Sequence, residues 1–597
     1  MIRNIKVNFS LFYKRILEFR ANHSDEKSFL VIISIIVGIL TGLVSVILKS
    51  LVKFIHYLLQ LNFNLKYQNY FYFIYPLVGI ALTLVYIKVF HKGKFRKGLS
   101  DLIYLVSKNK MDLERHNALS QIFSSALTVG FGGSVGLEAP IVVAGSSIGL
   151  NTANYLKTNQ KTKTLLLACG AAGGISAIFN SPIAGVIFAV EVLLPEFTVP
   201  TFIPLLIASA VSSVVSKLFG TEQIFTLATK GWDMNAIPVY FLLGIFCGLL
   251  SAYFINMTFR VEKIFSGIKN IFIKIIIGGA LLGVMIFLLP PLFGEGYTSV
   301  ENLFNGNISG LFEKGLFYNF RDNQLVILVF VFAIILLKVF ATAITIGSGG
   351  NGGTIAPSLF TGAVAGFFFS RVVNMIGLFH INETNFVAVG MAGVLAGVIH
   401  APLTSIFLIA EVTGGYALIV PLMIVSATAY FISRYFEPYS VYTKVLNEKG
   451  VWFPGNKDKN ILEQINLYSI IEDNFNKIKA QTTLREIISE FSVSKRNIFP
   501  VVDEDQKLLG IITLDDLREI ILNTELYDIV LAYEIMTTPP TMIDINENMH
   551  DVMNKFEYYD AWNLPVIKEG KYIGFISKSS VFSKYRNLLI NQSNNPV

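Results

Sequence analysis

The 597-residue chain is 53% apolar and only 15% charged, and its formal net charge is +7. These values exclude an ordinary soluble globular protein and place most of the chain in a lipid bilayer. The basic residues concentrate in the N-terminal arm and in loops, which favours membrane topology over nucleic-acid binding as their explanation. The two cysteines, Cys169 and Cys247, lie in separate apolar runs and provide neither a disulfide framework nor a metal site.

Residues 1–28 form a basic arm that we expect in the cytoplasm. The first apolar run, 29–48, is too long for a signal-peptide core and lacks a cleavage site, so it is predicted to stay as a membrane helix. Several later apolar segments are shorter than the ~20 residues of a spanning helix, which predicts half-helices that end within the membrane. The apolar segments are 29–59, 70–90, 119–129, 141–155, 164–177, 182–194, 201–218, 237–259, 272–292, 325–346, 357–376, 386–398, 402–412 and 416–435.

An internal repeat organises these segments. The stretches 170–191 and 390–411 each place a glycine, a proline and a glutamate at the same mutual spacing. A glycine-rich break precedes each of them at a similar distance, at 132–140 and 347–357. The membrane part, 29–446, is therefore predicted to consist of two homologous halves that meet at a shared site. The two halves are placed at about 29–235 and 236–446. We expect them to have inverted orientations in the membrane, although the spacing of the motifs alone does not decide this.

The first break carries a lone carboxylate. Between residues 117 and 156 the only Asp, Glu, Lys, Arg or His is Glu138, and a single charge at membrane depth marks a functional site by default. Glycines precede it and Pro140 follows it, so the backbone is not a plain helix until a new helix begins near Pro140. A helix start offers free N–H groups and partial positive charge to an anion. We interpret Glu138 as the side chain that competes with an anion for this place; the alternative is a helix break with a buried, paired glutamate.

The second break, 347–357, is polar and glycine-rich, and no ionisable side chain lies between residues 339 and 370. An uncharged break that opens a helix suits a conducted anion, because a full positive charge would hold the ion too long. The alternative is a flexible external loop. A cation pathway would need rings of carboxylates or carbonyls, which Glu138 alone does not supply.

After a polar linker at 447–463 the sequence looks soluble and contains a second repeat. Short apolar strands alternate with helical runs at 483–491 and 549–556, which predicts two small α/β units. We place them at 464–527 and 528–590.

Together these motifs resemble the CLC family of chloride channels and proton/chloride antiporters, with a C-terminal tandem pair of CBS domains. Gly136-Leu137-Glu138-Ala139-Pro140 is similar to the gating-glutamate motif, and Gly353-Thr354-Ile355-Ala356-Pro357 to the second pore motif. The stretch 440–443 is similar to the segment with the central tyrosine. The resemblance implies a homodimer with one anion pathway per subunit. Its anion-binding residues would be Gly136, Leu137, Ala139, Thr354, Ile355 and Tyr442. An alternative role for Tyr442 is interfacial anchoring.

Two positions depart from the family pattern. The first pore motif of the family is Gly-Ser-Gly-Ile-Pro, whereas the best match here is 96–101. Either Lys97 occupies the place of the anion-binding serine, or Ser100 has taken over that role. The proton-transfer glutamate of the antiporters should follow Glu191 directly, but that position is Val192. Valine is typical of the family's channels, although some transporters also lack the glutamate.

We therefore predict no enzyme but a chloride or related anion channel that Glu138 gates, with a proton-coupled chloride antiporter as the alternative. The protein would be a multi-pass dimer in the cell's inner or plasma membrane, with both termini cytoplasmic. A divalent-cation transporter would need clusters of carboxylates within the membrane, and this sequence does not contain them. A membrane anchor for an active CBS pair would leave both breaks unexplained.

The CBS units suggest a regulatory site. No cofactor is required, but family members often bind adenine nucleotides, and the first unit keeps the pattern Gly510, Thr513 and Asp516. The Asp516 carboxylate suits a ribose diol and Thr513 a phosphate oxygen. In the second unit Ser580 replaces the aspartate. We predict one weak nucleotide site per subunit; alternatively, Thr513 and Asp516 only cap a helix.

Overall fold

The computed structural model describes residues 26–593, except 62–70, 92–97, 108–115, 195–198, 221–230, 314–315, 321, 378–379, 449–461, 463–464 and 495. The chain forms two compact units, Met1–Val451 and Trp452–Val597.

The named elements of the first unit are all helical among its described residues. Its first half contains α1 (Glu26–Leu61), α2 (Tyr75–His91), α3 (Leu99–Ser107), α4 (Asn117–Gly130), α5 (Glu138–Tyr155), α6 (Gln160–Phe179), α7 (Pro182–Phe188), a π-helical turn (Ala189–Leu193) and α8 (Val199–Leu218). Its second half contains α9 (Ile237–Ser266), α10 (Ile271–Leu288), α11 (Tyr297–Phe304), α12 (Gln324–Ser348), α13 (Ile355–Ile376), α14 (Glu383–Ile399), α15 (Pro402–Val412), α16 (Ile419–Phe436) and α17 (Lys444–Glu448).

Among the described residues, eight helices are long and apolar enough to cross a membrane. Large apolar side chains such as Leu242, Phe272 and Val329 are exposed on their outer surfaces, where lipid would cover them. The chain is therefore an integral, multi-pass membrane protein, and the predicted all-α membrane part is confirmed.

Equivalent glycines join two helices in each half. A Cβ added to Gly145 on α5 would overlap the carbonyl oxygen of Gly170 on α6, and one added to Gly362 on α13 would overlap that of Gly390 on α14. Both pairs lie at the same place in the repeat. Small residues of this kind let membrane helices approach closely, because helix association in lipid depends on van der Waals packing.

The same helices also end alike. Asn180 ends α6 and His400 ends α14, each in the left-handed conformation with a φ of 56°. In both copies a proline two residues later begins the next helix. The sequence repeat is therefore a structural repeat.

The second unit contains two copies of a small α/β motif. Its elements are β1 (Ile478–Lys479), α18 (Leu484–Val493), β2 (Ile498–Val502), β3 (Leu508–Thr513), α19 (Leu514–Leu517), α20 (Ala532–Ile535), β4 (Ile543–Asp544), α21 (Met549–Tyr558), β5 (Asn563–Lys568), β6 (Lys571–Ser577) and α22 (Lys578–Ser593). In each three-stranded sheet the first strand runs parallel to the second, and the second antiparallel to the third. Each sheet packs on its own apolar core, which confirms the predicted α/β pair.

Candidate functional site

Two helices begin at the glycine-rich breaks with the same local geometry. Leu137 precedes α5 with φ −86° and ψ −9°, and Thr354 precedes α13 with φ −97° and ψ −6°. The helix expected to begin near Pro140 therefore begins two residues earlier, at Glu138. A proline fits the third helical position because the first-turn N–H groups have no partner within the helix. The two breaks thus supply two sets of backbone donors that have no partner within their own helix.

A short antiparallel bridge holds the two helix starts together. The Gly136 N–H donates to the Gly353 carbonyl at 2.9 Å, and the Gly353 N–H donates to the Gly136 carbonyl at 2.8 Å. A second exchange uses two threonines at equivalent places. The N–H of Ser134 donates to Thr345 Oγ1 at 3.2 Å, and that of Asn351 donates to Thr128 Oγ1 at 3.0 Å. Such reciprocal contacts relate the two halves by an approximate two-fold axis through the site.

Glu138 lies at this junction and is fully buried. The Tyr297 hydroxyl donates a hydrogen bond to its Oε1. Its Oε2 has no hydrogen-bond partner, although the backbone amides of Glu138 and Ala356, one from each helix start, face the carboxylate. A carboxylate that lies between two helix N-termini takes the place that their dipoles and N–H groups offer to an anion.

Gly136 makes room for this carboxylate. A Cβ at position 136 would overlap Glu138 Oε2 and would lie 2.8 Å from the Ala356 Cβ. The φ of Gly136 is not in the left-handed region, so the glycine is required by close approach and not by backbone strain.

Of the predicted anion ligands, the structure brings Thr354 and Tyr442 together. Tyr442 is buried, and Thr354 Oγ1 lies 3.4 Å from its hydroxyl oxygen. The neighbouring Val441 N–H donates to the Val398 carbonyl at 3.1 Å, which holds this segment against α14. Ala139 and Ile355 lie in the first turns of α5 and α13 and are buried. Their roles toward an anion stay predictions.

Ser100 is the second residue of α3, half-buried, and follows Gly98, whose φ is +95°. The helix packs against α5, the π-helical turn and α17. Lys97, the other candidate for the serine's place, lies outside the described residues. A direct role of Ser100 at the anion site also stays a prediction.

The two glutamates at equivalent positions of the repeat, Glu191 and Glu411, each cap a helix start in the opposite half. Glu191, in the π-helical turn, accepts hydrogen bonds from the N–H groups of Leu403 and Thr404 at 3.1 and 2.7 Å, at the start of α15. Glu411, on α15, accepts from the N–H groups of Ile183 and Ala184 at 3.1 and 2.8 Å, at the start of α7. These carboxylates therefore satisfy helix-start donors of the opposite half.

Sequence reasoning missed Glu295 and Tyr297, which contact Leu137 and Glu138 from a segment 158 and 159 residues distant along the chain. It also missed Lys338, which donates to the Gly294 carbonyl in the same segment. A signal existed for Lys338, because it is the only charge in the apolar run 325–346 and such a charge marks function or pairing. Glu295 and Tyr297 lie in a short polar loop with no distinguishing pattern.

In the second unit, Thr513 and Asp516 form a capping box at α19. Asp516 Oδ2 accepts from the Thr513 N–H at 2.7 Å and from its hydroxyl at 2.6 Å. The helix-cap alternative is therefore present, and nucleotide binding stays a prediction. In the other copy, the Ser577 hydroxyl donates to Glu472 Oε1 at 2.7 Å, and Glu472 also pairs with Arg496 at 2.6 Å.

Comparison with known proteins agrees with this arrangement. Residues 78–434 match the family described as voltage gated chloride channel, and residues 467–523 and 532–587 match the CBS domain. The chloride channel protein CLC-f of Arabidopsis thaliana is 30% identical over 456 residues, which are 67% of this chain and 56% of that protein. A putative chloride channel protein ClcB-like of Ralstonia nicotianae is 29% identical over 363 residues, which are 59% of this chain and 80% of that protein.

Solved structures share the fold. A slow cyanobacterial Cl⁻/H⁺ antiporter superposes with a TM-score of 0.60 at 22% identity, covering 72% of this chain and 99% of that one. A CLC-type fluoride/proton antiporter gives 0.57 at 24% identity, covering 70% and 98%. A eukaryotic CLC transporter gives 0.60 at 16% identity, covering 92% and 97%.

Proposed function

Because the chain belongs to the family of voltage gated chloride channels, we propose that it carries chloride or a related anion across a membrane along a pathway that Glu138 closes. One observation carries the proposal. Two helix starts, joined through Gly136 and Gly353, direct unpaired N–H groups at one place, and the Glu138 carboxylate lies there. An anion that enters must displace this side chain, and protonation of Glu138 would release it by removing its charge.

We propose passive conduction as the form of transport. The position that follows Glu191 is Val192, which holds no proton, and Glu191 itself binds the start of α15. No carboxylate at this place is therefore free to pass protons toward Glu138. Tyr442, beside Thr354, is proposed to close the pathway on the cytoplasmic side.

Proton-coupled chloride exchange is the second candidate, and a specific observation favours it. Tyr297 and Glu295 surround Glu138 with further proton-holding groups, which a purely passive pathway does not need. Two of the structural relatives are proton-coupled antiporters, although sequence identities below 25% show only that they share the fold.

Proteoliposomes separate the two candidates. A chloride gradient is imposed, the membrane potential is clamped with potassium and valinomycin, and the external pH is recorded. Conduction predicts chloride efflux without proton movement against its gradient, and uphill proton movement at a fixed ratio to chloride would establish exchange instead. Val192→Glu is the informative variant. A tight proton-to-chloride ratio that is the same with and without this substitution would contradict the role we give to Val192.

The family resemblance also supports a homodimer in the lipid bilayer, with both termini on the cytoplasmic side. Ile203 and Leu403 are more than half exposed on α8 and α15 and offer an apolar surface to a second copy. Single-molecule photobleaching of labelled protein in lipid would show two steps per particle, whereas one step would overturn the proposed dimer.

A further inference from the structure

The loop Leu292–Tyr297, here called the brace, joins the first break to α12. The Gly294 N–H donates to the Gly132 carbonyl at 3.2 Å. From α12, the fully buried Lys338 donates to the Gly294 carbonyl at 2.9 Å, and its Nζ lies 3.4 Å from the Leu292 carbonyl oxygen. These contacts hold Gly294 in place and thereby position Glu295 and Tyr297, which follow it.

Two brace side chains reach the start of α5. Glu295 Oε1 accepts a hydrogen bond from the Leu137 N–H at 3.1 Å, and the Tyr297 hydroxyl donates to Glu138. The first hydrogen bond within α5 runs from Ile141 to the Leu137 carbonyl, so the Leu137 N–H has no partner in its own helix. Glu295 therefore occupies one of the donors that the helix start would otherwise offer to an anion.

The two glutamate residues differ in exposure. Glu138 is fully buried, whereas Glu295 is partly exposed. The groups that act electrostatically on Glu295 are Glu138 on α5, Lys49 on α1 and Lys338 on α12, with Tyr297 at the start of α11. Two neighbouring carboxylates in a poorly solvated site repel each other, so a proton on one makes ionisation of the other easier.

We propose that Glu295 is a second gating carboxylate for the same anion pathway. This inference rests on the proposed function and assigns a residue to it. When ionised, Glu295 holds the Leu137 N–H as an anion would. When it takes a proton from water, its negative charge is lost and its hold on that donor weakens, so that an anion can replace it. Full opening requires both Glu138 and Glu295 to lose their charge or move away.

The test is the pH dependence of chloride efflux from proteoliposomes in four proteins: wild type, Glu138→Gln, Glu295→Gln and the double variant. Glu138→Gln should still be activated severalfold by acid, because Glu295 continues to titrate. The double variant should conduct at a rate that does not change with pH. Glu301→Gln removes an exposed carboxylate from α11, the helix that begins at the end of the brace, and should leave the wild-type profile unchanged.

Tyr297→Phe in the Glu138→Gln background protects the test against misfolding of the double variant. It removes the hydroxyl but keeps Glu295, so the residual acid activation should persist. A pH-independent Glu138→Gln protein, or a double variant that still responds to acid, would overturn the role of Glu295 and leave the proposed function standing. Absence of chloride efflux from all of these proteins, including wild type, would instead overturn the proposed function itself.

Discussion

The two glycine-rich breaks have nearly the same backbone but different side chains at the decisive place. Glu138 begins α5 and Ile355 begins α13, and each follows a residue of similar φ and ψ. In the second break the polar side chain is Asn351, which donates to Gln121 Oε1 at 2.9 Å and to Ser124 Oγ at 2.7 Å. The second break is thus held by fixed hydrogen bonds, whereas Glu138 has an unpartnered oxygen.

This difference separates two tasks that one symmetric site must perform. A gate needs a group whose charge and position change, and a carboxylic acid provides both through protonation. A binding surface needs dipoles that stay in place, because fixed donors require no reorganisation when an ion arrives. On the proposed function, the break at 132–140 would perform the first task and the break at 347–357 the second.

The largest effect is expected from Glu138→Gln. The amide has no charge with which to compete for the anion site, so chloride efflux at neutral pH should rise well above that of the wild type. Only the smaller, severalfold acid activation that we assign to Glu295 should remain. Ile355→Val, at the equivalent position of the other break, should keep the wild-type pH profile. Chloride efflux from proteoliposomes, measured over a series of pH values, would test both variants. A pH dependence of efflux in Glu138→Gln equal to that of the wild type would show that Glu138 is not the gate.

A smaller but distinctive effect is expected from alanine substitutions at Gly136 and Gly353, the two glycines of the antiparallel bridge. In Gly136→Ala the methyl group would take the space of Glu138 Oε2, so the carboxylate should be displaced and the basal efflux raised. In Gly353→Ala the methyl group would lie 2.7 Å from the Ala139 Cβ and 3.0 Å from its backbone nitrogen. This contact should push the helix starts apart and lower efflux and thermal stability together. The same outcome for both variants would argue against the asymmetry of the two breaks.

The reciprocal caps should contribute to stability without affecting the pH profile. Glu191→Ala and Glu411→Ala each leave two helix-start N–H groups without their charged acceptor, which we expect to cost about 1–3 kcal/mol. Glu191 also accepts a hydrogen bond from the Thr404 hydroxyl at 2.7 Å, so Glu191→Ala should lose at least as much thermal stability in detergent as Glu411→Ala. A change in the acid dependence of efflux in Glu191→Ala, at preserved stability, would show instead that this carboxylate takes part in transport.

The smallest effect concerns the CBS pair. Asp516→Ala removes the capping box of α19 and should destabilise the second unit by about 1 kcal/mol. Calorimetry on residues 452–597 with ATP, ADP and AMP should detect one weak site, which Asp516→Ala abolishes. Ser580→Ala, at the equivalent position of the other copy, should still bind. No heat at millimolar nucleotide, or equal binding by Asp516→Ala, would leave only the capping role.

Much of this site was predictable because membrane burial makes charge and glycine informative. Glu138 was identified as a lone charge in an apolar region, and the breaks as places where a helix had to begin. The helix start was placed two residues too late because proline tolerates any first-turn position. Glu295 and Tyr297 were missed because an ordinary polar loop carries no periodic signal. Their proximity to Glu138 depends on Lys338 and on packing between the halves.

The repeat in the sequence predicted two equivalent halves but not how they contact each other. Thr345 and Thr128 accept hydrogen bonds from Ser134 and Asn351, and Glu191 and Glu411 accept hydrogen bonds from helix starts of the opposite half. All of these are tertiary contacts across more than 200 residues. No local propensity encodes them.

The central claim is that the Glu138 carboxylate occupies an anion site formed by both helix starts, and equilibrium dialysis with radioactive chloride tests it most directly. At neutral pH, Glu138→Gln should bind one more chloride per chain than the wild type, since the site vacated by the carboxylate becomes available. Acidification should raise the chloride count of the wild type and change that of the variant less. Equal chloride stoichiometry in the two proteins at every pH would contradict the account.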